Sequence, residues 1–108
     1  MTIEQYTYGQ PRAGNEQFTQ WITNQGGNYR ITHTSDFICN LPPETGYGVY
    51  RHISPEYWIK SGYGQENDIV KLEGLSNRNG VGSASGMNIL AHIGYFQRNM
   101  YKCVISII

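Results

Sequence analysis

The first 35 residues carry the pattern that most restricts what this chain can become: a short strand, a helix and a second strand, divided by tight turns. Gln5 to Tyr8 alternates polar and aromatic side chains and stops at Gly9-Gln10-Pro11, which reads as a strand entering a turn. Asn15 can cap the next segment, where Phe18, Trp21 and Ile22 recur at i, i+3 and i+4 and so share one face of a helix ending near Gly26-Gly27. Tyr29 to Ser35 alternates again, with Tyr29, Ile31 and His33 on one side and Arg30, Thr32 and Thr34 on the other. Two strands around a helix with links this short form a βαβ unit, whose parallel strands need such a crossover. The predicted fold class is therefore α/β.

Further along, Pro42-Pro43 stiffens a loop, and Glu56 to Lys60 and Asp68 to Leu72 read as strands that can pair as a hairpin through Ser61-Gly62-Tyr63-Gly64. Gly, Ser and Asn dominate from Gly74 to Asn88, so that stretch reads as a long loop. After it, Ile89, Ile93, Phe96 and Met100 mark one face of a last helix, with His92 beside them. There is no internal repeat. A chain of 108 residues suits one domain. Eight basic residues balance eight acidic ones with no Lys/Arg block, which excludes the electrostatic footprint of a nucleic-acid binder. The most hydrophobic segment, Val104 to Ile108, is far shorter than a membrane span, and the sequence from Met1 lacks the basic and apolar regions of a signal peptide. Cys39 and Cys103 lack the spacing of a zinc or redox motif; a single disulfide between them is open but not deducible.

Two residues stand out chemically. Asp36 follows the second strand, where α/β folds place site residues, and His92 comes after a loop long enough to return it there. An Asp followed by a His has the order of the last two members of an α/β-hydrolase triad. Spacing alone leaves a second reading open, with Asp36 a turn former and His92 a half-buried helix residue. His33 sits three residues from Asp36 on a strand and so on the opposite face, which argues for a structural role rather than a metal pair. His52, beside Arg51, reads as a solvated loop residue, and Arg12 as an anchor of the strand-to-helix turn. Tyr29, Tyr57 and Trp58 fall in strands, where aromatics pack; a sugar-stacking surface built from them and Trp21 is the less favoured alternative.

Longer strings add specificity. Tyr6-Thr7-Tyr8-Gly9-Gln10-Pro11-Arg12-Ala13-Gly14-Asn15 resembles the Tyr-Gly-x-Pro-Arg-x-Gly-Asn segment of the class 3, or fungal, lipases. Tyr29 to Asp36 followed by Leu41-Pro42-Pro43 resembles the strand and loop carrying that family's triad aspartate. His52 with Ser54 to Ile59, Asp68 to Gly74, and Ala91-His92 with Tyr95-Phe96 resemble its later segments in the same order.

The resemblance implies a partial α/β-hydrolase fold: the βαβ unit, then a hairpin and a C-terminal helix. It also implies carboxylic ester hydrolysis on lipids or similar esters outside the cell, with feruloyl esterases as close relatives. In such a site His92 takes the proton of a serine nucleophile and Asp36 holds the imidazole. No metal or organic cofactor enters the scheme. Residues 1–108 then correspond to the C-terminal part of the family's domain, with nucleophile, oxyanion hole and lid expected upstream of Met1. No serine here sits in a Gly-x-Ser-x-Gly frame; Gly82-Ser83-Ala84-Ser85-Gly86 centres on alanine and reads as loop. Losing the nucleophile of a serine triad costs about 10⁶-fold in turnover, so the isolated chain is expected to be nearly inactive.

Ile38-Cys39 replaces the family's Val-Pro pair after the aspartate, and Cys103 falls near a family cysteine whose partner lies far upstream, so it is expected to be unpaired. The rival reading is a non-catalytic remnant that binds a partner, the rest of the domain or a second copy, through an exposed sheet edge.

Overall fold

A computed structural model describes residues 3–45, 49–60, 68–84, 89–95 and the backbone of 98–99. Strand β1 (Gln5–Tyr8) leads to helix α1 (Glu16–Gln25) and strand β2 (Asn28–His33), followed by β3 (Glu56–Ile59) and β4 (Ile69–Leu72). The four strands form one sheet in the order β1-β2-β3-β4, with β1 parallel to β2, β2 parallel to β3, and β3 antiparallel to β4. The βαβ unit and the later hairpin both form as the sequence pattern predicts. The hairpin's turn lies outside the described residues.

Helix α1 is bounded as expected. The Asn15 side chain accepts from Phe18 N at 2.9 Å, satisfying one of the orphan donors of the first turn. Gly26 closes the other end at φ 74°, donating its N–H to Thr23 O. The face shared by Phe18 and Trp21 is not the one the helix buries. Phe18 and Trp21 are 47% and 62% exposed, whereas Thr19 is fully buried. Thr19 can be buried because its hydroxyl donates within the helix to Asn15 O at 2.9 Å, and Thr23 Oγ1 accepts from Ser54 N at 3.0 Å. The helix therefore docks through paired hydroxyls rather than through its largest apolar side chains.

Strand β2 ends at His33, two residues before the predicted boundary, because Thr34 takes φ 42° and turns the chain. Cross-strand register puts Tyr29, Ile31, Tyr57, Ile59 and Ile69 on one face. Ile31, Ile59 and Tyr95 form the buried cluster there, with Tyr29, Tyr57 and Ile69 packed against it. Tyr6 stacks on Tyr29 at the β1 edge, ring centres 4.6 Å apart. Trp58 packs as a strand residue, its indole N–H donating to Thr34 O at 3.1 Å.

Arg30, Thr32 and Glu56 alternate onto the opposite face and are buried. Glu56 accepts from Arg30 Nη2 at 3.3 Å, Thr32 Oγ1 at 2.5 Å and Val81 N at 2.9 Å. Val81 belongs to a 3₁₀ turn, Val81–Ser83, inside the segment predicted as loop. Gly80 lies against the Glu56 carboxylate where a Cβ would collide.

His52 is a correction. It is 4% exposed rather than solvated, and neither ring nitrogen has a partner among the described residues. Burial, helped by Arg30 and Arg12, pushes its pKa down to about 3 and keeps the ring neutral.

The last helix is also shorter than predicted. Helix α2 covers Ile89–Ile93, and the chain then forms a two-stranded hairpin, β5 (Gly94–Tyr95) with β6 (Arg98–Asn99). Gly94 ends the helix, and Tyr95 turns into the sheet core. Ile89 is half exposed, while Phe96 and Met100 lie outside the described residues, as does Cys103. Cys39 is buried with a free thiol.

Candidate active site

Two loops at the C-terminal ends of parallel strands meet at the candidate site, the position where open α/β sheets gather ligands. After β1, Gly9 donates its N–H to Ile31 O at 2.9 Å and adopts φ 72°. After β2, Thr34 N bonds Ile59 O at 2.8 Å and Asp36 N bonds His33 O at 3.0 Å. These bonds fold the turn back over the strand end and deliver Asp36 to the N-cap of a 3₁₀ turn, Phe37–Asn40.

The structure brings Asp36 and His92 together across 56 residues. His92 Nδ1 lies 2.9 Å from Asp36 Oδ2 and 3.1 Å from Oδ1. Asp36 is fully buried. Its remaining acceptor capacity is taken by Ile38 N at 3.1 Å on Oδ1 and by Tyr95 Oη, which donates to Oδ2 at 2.7 Å. The carboxylate thus receives donors on both oxygens, the condition under which a buried charge is tolerated. With an ionised Asp36, Nδ1 carries the proton, and Nε2 of the neutral ring is left as the basic nitrogen. The His92 side chain is partly exposed. Among the described residues no serine hydrogen-bonds the ring.

His33, read as structural, positions the same helix: its Nδ1 and Ala91 O are 3.1 Å apart, and its ring packs against Tyr95 at 5.4 Å between centres. Tyr95 is the functional residue that sequence reasoning quoted but gave no role. Burial and the neighbouring Cys39 and Asp36 raise its hydroxyl pKa above the ordinary phenol value, so it stays a donor to Asp36 at every working pH. The signal that could have found it is its position three residues after His92, on the chain reversal that follows the helix.

Gly9 is the second such residue. A Cβ there would lie 2.7 Å from His92 Nδ1 and 2.8 Å from Asp36 Oδ2, on the hydrogen bond itself. Its positive φ further disfavours any side chain. Gly9→Ala is expected to separate the pair. The measurement is the downfield proton resonance of the His92 Nδ1–H, which should disappear in the variant; an unshifted resonance would mean the loop yields instead.

Arg12, expected to anchor the strand-to-helix turn, ties that turn to the segment after Asp36, where Nη1 donates to the carbonyls of Asn40 and Pro42. Among the described residues no group of three or more His, Cys, Asp or Glu side chains could hold a metal ion.

Residues 1–46 match the family model of class 3 lipases. The chain is 44% identical over 103 residues to secreted mono- and diacylglycerol lipase 1 of Fusarium solani, covering 91% of this chain and 30% of that protein. Its structure is similar to that of the mono- and diacylglycerol lipase of Aspergillus oryzae, with 38% identity, a TM-score of 0.75, and coverage of 84% of this chain and 36% of the other. A triacylglycerol lipase whose catalytic centre is described as a serine protease triad matches at 29% identity and a TM-score of 0.75, over 91% of this chain and 37% of its own. The chain thus spans about a third of the length of the relatives it matches.

Proposed function

Starting from the chain's membership of the class 3 lipases over the part of their length that it spans, we propose that it supplies the acid–base half of a serine ester hydrolase acting on acylglycerols outside the cell. The observation that carries this reading is the buried Asp36 carboxylate holding His92 Nδ1 at 2.9 Å. A serine from outside the described residues meets Nε2. His92 takes its proton as it attacks the ester carbonyl, and Asp36 stabilises the imidazolium that forms. His92 then returns the proton to the departing glycerol oxygen, and the acyl-enzyme is hydrolysed by water activated in the same way. The names of the relatives, secreted mono- and diacylglycerol lipases, support both the substrate class and the extracellular setting. Feruloyl esters are the second substrate class to assay.

The test is hydrolysis of mono- and diacylglycerol emulsions by the protein isolated from its source, before and after treatment with an organophosphonate, with the adduct located by mass spectrometry. The reading expects fatty-acid release abolished by one adduct on serine. Absence of ester hydrolysis, or hydrolysis that survives His92→Ala, overturns it.

The non-catalytic alternative draws on β1, which forms one edge of the sheet and exposes Tyr6 and Tyr8. It predicts self-association or partner capture that is indifferent to His92→Ala.

A further inference from the structure

We propose that Arg12 is a positioning residue for Asp36, acting through the 3₁₀ turn that joins them. The proposal rests on the reading of Asp36 and His92 as the acid–base pair. Arg12 engages three successive carbonyls: its backbone N–H donates to Leu41 O at 2.7 Å, and its Nη1 donates to Asn40 O and, at 2.9 Å, to Pro42 O. All three lie at the exit of the turn Phe37–Asn40. At the entrance, Asp36 Oδ1 accepts from Ile38 N at 3.1 Å. Ile38 is common to both ends, since its carbonyl accepts from Leu41 N at 3.1 Å.

One rigid unit follows from this pattern. A 3₁₀ helix rises about 2 Å per residue, so the exit carbonyls stand only about 8 Å beyond Asp36. Cys39, fully buried in the middle of the turn, leaves it no room to slide. Carbonyls at a helical exit have no partner within the helix and need one from outside. The guanidinium meets that need through the two N–H groups of Nη1 and with charge of the favourable sign. Arg12 is held from the solvent side by Glu44, whose Oε1 lies 3.8 Å from Nε and whose Oε2 is 2.6 Å from Arg78 Nη2. Among the described residues the Arg12 side chain makes no hydrogen bond or ion pair with Asp36 or His92, so its influence on the pair passes through the turn.

The experiment compares the full chain with Arg12→Gln and Arg12→Lys, reading the downfield His92 Nδ1–H resonance by NMR. The Trp58 Nε1–H resonance, which reports the bond to Thr34 O, serves as the control for folding. Loss or a clear shift of the His92 signal in Arg12→Gln, with Trp58 unmoved and partial recovery in Arg12→Lys, is the expected result. A glutamine variant that keeps the wild-type His92 signal overturns the proposal. Should Arg12→Gln fail to fold, Arg12→Met decides: it keeps the aliphatic stem but brings no donor to the carbonyls, so a wild-type signal there also overturns it. Asp36→Asn separates the two levels. If even that change leaves the resonance untouched, the acid–base pair itself is wrong and the proposal falls with it.

Discussion

In the ester hydrolase proposed above, of which this chain is a part, Asp36→Asn is expected to lower acylglycerol turnover by about 10⁴-fold, the loss seen when the carboxylate of a serine triad becomes an amide, while the fold survives. The reason lies in who donates to whom. Oδ1 accepts from Ile38 N, and Oδ2 accepts from Tyr95 Oη, with His92 Nδ1 bridging both oxygens. An amide replaces one of these acceptors with a donor. Turned toward Ile38, the new NH₂ faces a backbone N–H that cannot accept. Turned toward His92 and Tyr95, it meets two groups that can: the hydroxyl rotates, and the imidazole shifts its proton to Nε2. The second arrangement satisfies every partner and is therefore preferred, and it leaves no basic nitrogen for the serine. Steady-state hydrolysis by the native protein, with near-ultraviolet circular dichroism reporting the tyrosine packing, checks both halves. Turnover within a few-fold of wild type would remove Asp36 from the mechanism.

The strand–helix–strand core was legible because caps, turns and alternation all act locally. Asn15, Gly26 and Gly9 each perform, within a few residues of themselves, the conformational task that their chemistry announces. Asp36 and His92 were legible by their order and by the strings around them, but their contact depends on a return across 56 residues that no local pattern encodes. What failed was long-range or solvent-dependent. Phe18 and Trp21 share a helix face, but apolar periodicity carries no information on what lies opposite; Thr19, which satisfies its own hydroxyl within the helix, is the buried residue. His52 looked solvated beside Arg51, yet the folded chain buries it. The last helix stopped early because Tyr95 is drawn to Asp36 and the core cluster.

The buried polar face that sequence reasoning missed carries the second large effect. Glu56→Gln is expected to destabilise the chain by about 3–5 kcal/mol, the cost of removing one partner from a buried ion pair. Domains of this size are stable by only about 5–15 kcal/mol, so such a loss approaches unfolding. Arg30 and Glu56 are each about 1% exposed, and Arg30 Nη1 already has no hydrogen bond among the described residues. Desolvation lowers the Arg30 pKa and Glu56 opposes that shift; a guanidinium stays charged in proteins, so the carboxylate is the counter-ion this buried charge requires. Glutamine keeps the shape but leaves that charge without a counter-ion. Its single oxygen also cannot serve Arg30, Thr32 and Val81 together. Urea unfolding followed by the fluorescence of Trp21 and Trp58 measures the loss as a lower midpoint at unchanged slope. Replacing both partners, Arg30→Met with Glu56→Leu, distinguishes the cause. Replacing a buried ion pair by matched apolar side chains is commonly neutral or stabilising, so recovery of the midpoint assigns the loss to the stranded charge. A double variant as weak as Glu56→Gln would place the stability instead in the bonds from Thr32 and Val81, which the double change also removes.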